Sequence, residues 1–352
     1  MVTIAAVKCR PHSSVVLALT TGGYHQTERL LAVPDYAYCV SLTHLGSESF
    51  CIGSDPGIDY VCRPSNDIRK MPAMPLGLRQ HPPLFITGAP RSGTSWLGEL
   101  LSEHHTRLVY EPFNPQWNPG LLGNTQQFLY LDRDAADEVP EPLRQAADAA
   151  FRGRQSRKQI LRALYRGYLN KTVIPYRNVL VKDPTAVLMS AWLQKRFDAT
   201  IIVIVRHPGA VISSILKLGW HFDLRRLMSQ PTLMEGALSD YRSLLNSCQG
   251  NQIRESAAFW SALHIVLQGL AEDNGKWHFV SYESLCADTG ATLKSLTSRL
   301  DIKMPEQARP TVTPSQSLPD TDPGSTSRNS PLMPTAWRER LPQKQRAEIY
   351  SI

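Results

Sequence analysis

From Pro83 to the C-terminus, short β-rich apolar runs alternate with longer stretches of helical spacing. The runs are "PLFITG", "RLVYEP", "NVLVKDP", "TIIVIVRHP" and "WHFVSYE". This alternation is the signature of βα units on a parallel sheet. Between the runs, "EPLRQAADAAFRGRQSRKQILRALYRGYL" and "SAAFWSALHIVLQGLAED" carry apolar residues at helical spacing and predict covering helices whose Leu, Phe and Trp stripes face a core. Residues 304–334, dense in Pro, Ser and Thr, predict a long irregular loop, and "AWRERLPQKQRAEIYSI" predicts one final helix after it.

Upstream of Pro83 the pattern is different. Short apolar pieces are broken by Gly, Pro and Ser, and "RKMPAMPLGLRQHPP" reads as a Pro-punctuated linker. The chain therefore divides into an N-terminal extension of unknown role, residues 1–80, and a body, residues 81–352. Either the extension is genuine or translation starts downstream at Met71 or Met74. With 352 residues, 42% of them hydrophobic, the chain can bury a full core. The formal charge of +7 suits an anionic ligand, a membrane surface or nucleic acid, without choosing among them.

No apolar run approaches the roughly 20 residues of a membrane span. Six cysteines are present and none forms a CxxC pair, so neither zinc nor a redox dithiol is indicated. They read as structural thiols of a cytoplasmic protein, with a disulfide-bonded N-terminal region as the competing reading.

Each apolar run ends in a small polar cluster at its C-terminal edge, where open α/β sheets bind ligands. The clusters are the loop after "PLFIT", then Glu111, Lys182 with Asp183, Arg206 with His207, and Tyr282 with Glu283. The loop, "GAPRSGTS", is almost a phosphate loop, but Thr94 stands where the lysine belongs. Its glycines let backbone N–H groups turn toward an anion, the helix start adds more, Thr94 and Ser95 add hydroxyls, and Arg91 supplies the cation. A magnesium-dependent phosphotransferase needs an acidic residue ending a neighbouring strand, which Asp183 could imitate, but the most apolar run ends in Arg206. A sulfuryl group carries less negative charge than a phosphoryl group. Arginine or lysine with backbone donors suffices to stabilise its transfer without a metal.

The chain resembles the sulfotransferases that use 3'-phosphoadenosine 5'-phosphosulfate (PAPS), nearest to the carbohydrate-type and bacterial members. "PRSGTSWLGELL" is similar to the family's 5'-phosphosulfate loop and "VRHPGAVISS" to its 3'-phosphate motif. "YESLC" and "AWRERL" are similar to a later strand segment and the C-terminal helix, so the resemblance spans Pro83 to the end. It implies an α/β fold, a parallel sheet flanked by helices, related to nucleoside-kinase-like phosphate-loop proteins. It also implies a sulfuryl transfer from PAPS, with no metal, to a small-molecule or glycan hydroxyl, whether carbohydrate, lipid or other small alcohol. Neither a nucleic-acid partner nor a membrane span is implied, and the oligomeric state is left open.

Carried over residue by residue, the loop Arg91, Ser92, Gly93, Thr94 and Ser95 would hold the phosphosulfate. Arg206 and Ser214 would hold the 3'-phosphate, with Arg328 as a second contact or a solvated loop arginine. Trp96 and Tyr282 would border the adenine, or simply belong to the core. Glu111 is the expected general base, as in carbohydrate-type members. His104 and His105 are the alternatives for that role and otherwise read as helix C-terminal residues. Lys182 would reach the leaving phosphate or the sulfuryl oxygens, or form a strand-end ion pair with Asp183. A phosphate-loop kinase using ATP and magnesium, and a nucleotide-binding protein without turnover, remain the alternative functions.

Overall fold

The computed structural model describes residues 2–7, 37–42, 50–51, 81–102, 106–116, 118, 121, 127–135, 139–155, 176, 178–271, 275–302 and 334–352. The chain divides into two units, Met1–Pro75 and Leu76–Ile352. In the first, strands β1 (Val2–Val7), β2 (Ala37–Leu42) and β3 (Phe50–Cys51) form an antiparallel sheet in that order. Val2 lies opposite Leu42, and Val40 opposite Phe50.

The second unit is built on a parallel sheet of β4 (Leu84–Thr87), β5 (Thr106–Tyr110), β6 (Asn178–Lys182), β7 (Thr200–Val205) and β8 (Trp277–Ser281). These are the five apolar runs. Their order across the sheet is β5-β6-β4-β7-β8. All the pairings are parallel.

The side-chain period of two splits the strands between two cores. Phe85, Val109, Val181, Ile201 and Val203 face one. Leu84, Ile86, Leu108, Leu180, Ile202 and Ile204 face the other. Both faces are apolar because both are covered, which is why the runs are nearly continuous. Each fully buried Leu, Ile or Val contributes roughly 1.5–3 kcal/mol relative to an exposed one.

Helices α1 (Thr94–Leu101), α9 (Tyr282–Ala287) and α10 (Thr289–Arg299) cover the second face through Leu97, Leu285 and Leu296. The first is covered by α2 (Glu141–Phe151), α3 (Ser190–Phe197), α4 (Pro208–Lys217) and the long α8 (Gln252–Ala271). Short helices α5 (Arg225–Met228), α6 (Pro231–Glu235) and α7 (Arg242–Cys248) lie between α4 and α8. Among the described residues no helix is long and apolar enough to cross a membrane.

Two expected helices differ in extent. The first ends as α2 at Phe151, followed by Gly153 at a φ of 70°, and residues 156–169 of the expected stretch lie outside the described residues. The final helix is two pieces, α11 (Trp337–Arg340) and α12 (Gln343–Tyr350). Pro342 is the reason: it lacks an N–H and forces the preceding Leu341 into an extended conformation, ψ 121°. The break lets Trp337, Leu341 and Ile349 all pack with Ala210, Ile212 and Ala257 of α4 and α8.

The strand register decides where function collects. Ile86, Lys182 and Tyr110 lie side by side across β4, β6 and β5, and Val205 lies beside Ser281. Gly88, Glu111, Arg206 and Tyr282, which come next along their strands, therefore emerge along one edge. Successive strands are added to one side of β4 and then to the other, and the crevice of such a sheet opens at that reversal.

Candidate active site

The turn leaving β4 is shaped by two glycines and one strained arginine. Gly88 has φ 144°, and a Cβ there would sit 2.4 Å from the carbonyl oxygen of Ile204. Gly93 caps α1 at φ 99°, where a Cβ would meet the Tyr282 ring at 2.7 Å. Only glycine fits either place. Arg91 adopts φ 71°, a conformation that costs an L-residue about 1–2 kcal/mol.

Its neighbours offset that cost. The Arg206 guanidinium donates from Nη1 to the Arg91 carbonyl at 2.8 Å, and Arg91 itself donates from Nε to the Ser214 hydroxyl at 3.0 Å. The loop after β4 is thus clamped to the end of β7 and to α4.

Arg206 is buried and lies over the Tyr282 ring at 4.2 Å. Trp260 holds its backbone by donating from Nε1 to the Arg206 carbonyl at 3.1 Å. The buried Nε of Arg206 and the buried hydroxyl of Ser92 have no protein partner among the described residues. Such donors are costly to leave unsatisfied, so they point to a ligand that accepts hydrogen bonds. Trp96 meets Tyr282 edge-on, with centroids 5.9 Å apart. Burial pushes the Tyr282 phenol up to about 12, against the pull of Arg206, so it stays neutral.

Across the same edge, Lys182 donates to Glu111 Oε1 at 2.6 Å, and Asn114 donates from Nδ2 to Oε2 at 2.8 Å. Lys182 also lies over the Tyr110 ring at 4.1 Å, and the Tyr110 hydroxyl is 2.9 Å from that of Ser95. Burial alone would lower the Lys182 ammonium, but Glu111 and Tyr110 outweigh it and its pKa is raised. The lysine is therefore charged.

The alternative reading of Lys182, an ion pair with Asp183, is not what forms. Consecutive strand residues point to opposite faces, and Asp183 instead accepts from the Phe113 N–H at 2.7 Å, the Thr185 N–H at 2.8 Å and the Thr185 hydroxyl at 2.6 Å. It shapes the turn that carries Glu111. Burial, then the Glu111 charge, push its carboxyl up to about 6, while these donors pull it back.

Arg91, the stretch from Gly93 to Trp96, the pair Glu111 and Lys182, and the trio Arg206, Ser214 and Tyr282 all line one cavity of about 550 Å³. Ser92 sits fully buried behind the loop. Arg328, His104 and His105 lie outside the described residues. Sequence reasoning missed Tyr110, Asn114, Gln127 and Arg226, which line the same cavity. Asn114 lies three residues after Glu111, the one local signal that could have found it.

The profile of the sulfotransferase family matches residues 82–306, which includes both clamped motifs and all five strands. The chain belongs to the sulfotransferase family. This sulfotransferase is 16% identical to the sulfotransferase domain from the curacin biosynthetic pathway, with a TM-score of 0.44 over 78% of this chain and 97% of that one. It is 17% identical to the sulfotransferase domain of the Synechococcus PCC 7002 olefin synthase, with a TM-score of 0.42 over 79% and 94%. A mouse sulfotransferase complexed with PAP is 16% identical, with a TM-score of 0.37 over 78% and 84%. No curated protein matches this sulfotransferase in sequence.

Proposed function

We propose that this enzyme transfers the sulfuryl group of PAPS to a hydroxyl acceptor, with Glu111 as the general base. The residues present fit the donor. The N–H groups at the start of α1, the hydroxyls of Thr94 and Ser95 and the Arg91 guanidinium suit the phosphosulfate, with Ser92 buried behind the loop. Arg206 and Ser214 suit the 3'-phosphate, and Trp96 with Tyr282 offers an aromatic border for the base. The observation that carries the reading is that the Lys182–Glu111 pair opens onto the same cavity as the Arg91–Ser214–Arg206 clamp.

In the reaction the acceptor oxygen forms a bond to sulfur, the bond from sulfur to the bridging oxygen breaks, and its electron pair stays on the departing phosphate. The acceptor proton goes to a carboxylate oxygen of Glu111. Protonation quenches the carboxylate. The Lys182 ammonium then loses the charge of its ion-pair partner as charge grows on the leaving oxygen, where a fixed cation is most useful. Arg91, anchored through its carbonyl and Nε, supplies the second cation from the loop.

Asp183 bears on the kinase alternative. It is the carboxylate that would hold magnesium, and its oxygens already accept three hydrogen bonds that shape the Glu111 turn. The deciding experiment is calorimetry with 3'-phosphoadenosine 5'-phosphate (PAP) and with ATP in metal-free buffer, followed by transfer of labelled sulfate from PAPS to a panel of alcohols. Binding of PAP at least tenfold tighter than ATP is expected. Magnesium-dependent ATP binding that outcompetes PAP would return the chain to phosphoryl transfer.

A further inference from the structure

The cavity extends past the donor-directed residues to a wall formed by residues 220–223 with Arg226 and by Gln127, Phe128 and Phe259. On that wall one arginine lacks a close ion pair, although its charge helps to lower the Asp223 carboxyl pKa from longer range. Asp223 pairs with Arg225 at 2.9 Å and His221 with Glu255 at 2.9 Å. Arg226, half-buried on α5, has no carboxylate within ion-pair reach among the described residues.

Its one side-chain bond is to a neutral group, from Nη1 to Gln127 Oε1 at 2.5 Å. The surrounding backbone is stitched in place by a single side chain. Gln230 donates from Nε2 to the carbonyls of Arg226, at 2.7 Å, and Phe128, at 3.0 Å, and accepts from the Tyr130 N–H at 2.7 Å. The 127–130 segment and α5 are thereby locked together, and the guanidinium is held between them. Nε and Nη2 have no protein partner among the described residues, and neither is sealed from solvent.

A guanidinium fixed at one nitrogen, with its remaining N–H groups open to a cavity, is preorganised for paired hydrogen bonds to an oxyanion. The walls beside it are aromatic. Phe128 packs against Phe259 at 4.9 Å and Phe222 against Phe259 at 4.6 Å.

We infer that the acceptor carries, besides its hydroxyl, a carboxylate or phosphate group that Arg226 recognises, joined by an apolar segment that passes the Phe128, Phe222 and Phe259 walls. This rests on the sulfotransfer reading only in calling the ligand an acceptor. Uncharged sugars and simple alcohols are then poor substrates, because they leave Arg226 desolvated and unmatched.

The test uses PAP, which has no sulfuryl group to give, so that binding is read without turnover. The full chain, saturated with PAP to block the phosphate loop, is titrated with hexanoate, hexyl phosphate and hexan-1-ol. At least one anion is expected to bind tenfold or more tightly than the alcohol, and the difference should vanish in Arg226→Gln while PAP affinity is unchanged. Arg226→Lys, which keeps charge but not the fork, should recover part of the preference. Hexanoate favoured over hexyl phosphate identifies a carboxylate, and the reverse a phosphate ester. Equal binding of all three by the wild type, or a preference that survives in Arg226→Gln, overturns the inference. Failure of PAP to bind, with Arg226-dependent anion preference intact, would instead sink the donor assignment and leave this site standing.

Discussion

Arg91 donates from Nε to the Ser214 hydroxyl at 3.0 Å, joining two segments 123 residues apart that, in the proposed function, address opposite ends of one nucleotide. The same loop receives Arg206 at its Arg91 carbonyl. The proposed 5' and 3' anion sites are thus joined through one set of hydrogen bonds.

Arg91→Ala and Ser214→Ala should separate binding from chemistry. Ser214→Ala removes one hydrogen bond worth about 1 kcal/mol and should weaken PAP about fivefold. Arg91→Ala should act mainly on kcat, by about 10²–10³, because charge on the bridging oxygen grows as sulfur departs. Calorimetry and single-turnover kinetics measure the two. An equal loss of PAP affinity and kcat in Arg91→Ala would reduce Arg91 to an anion anchor.

Glu111→Gln keeps the hydrogen bond from Lys182 and removes the proton acceptor, so PAP binding should survive while transfer falls by roughly 10²–10⁴. Lys182→Met should be worse for the protein as a whole. It leaves a mostly buried carboxylate without its lysine, and loss of a partner from a buried pair costs about 3–5 kcal/mol. Thermal unfolding distinguishes the two variants. Near-normal single-turnover transfer in Glu111→Gln would remove Glu111 as the base.

Much of this site is legible along the chain because parallel strands buried on both faces must be apolar runs, and the residue ending each run must reach the sheet edge. Glu111, Lys182, Arg206 and Tyr282 are visible for that reason. Partnership is not visible, because it depends on strand order. Lys182 meets Glu111, 71 residues away, only because β6 lies between β5 and β4. Arg226, on the short helix α5, and Gln127, in a turn, escape because 99 residues separate them and no strand register links them. The break at Pro342 is readable from proline chemistry alone, but an apolar period continuing through it masks the signal.

Asp183 should leave a signature in stability against pH. Its folded pKa, about 6, lies above the ordinary 3.8, so the folded state binds the proton more tightly than the unfolded. Its contribution is therefore present at low pH and lost as pH rises from about 4 to about 6, by on the order of 3 kcal/mol. Asp183→Asn cannot titrate. Denaturant unfolding across this range should show the wild type losing stability relative to the variant as pH rises, on top of a constant offset from the altered hydrogen bonds. A constant difference would mean that the three donors hold Asp183 ionised throughout.

His207 titrates with the opposite sign, beside the proposed 3'-anion site. Its Nδ1 accepts from the Gly209 N–H at 3.1 Å and caps α4, while its ring stacks on Trp337 at 4.4 Å and its Nε2 lies 3.3 Å from the Tyr350 hydroxyl. The backbone N–H of His207 is held by Glu283 at 3.0 Å. Burial, aided by Arg338 and opposed by Glu283, lowers its pKa. An imidazolium has no lone pair with which to cap. The folded state thus binds the proton less readily than the unfolded. The cap, worth about 1 kcal/mol, is present above the unfolded pKa near 6.5 and lost as pH falls from there through the lower folded value. Since α4 carries Ser214 and begins directly after His207, PAP affinity should weaken with it. His207→Asn keeps a capping acceptor that does not titrate. PAP's own phosphate titrates identically in both proteins, so the decisive quantity is the ratio of their affinities. Between pH 7.5 and 5.5 the wild type should lose severalfold more affinity than His207→Asn, and parallel curves would show that the cap does not govern the anion site.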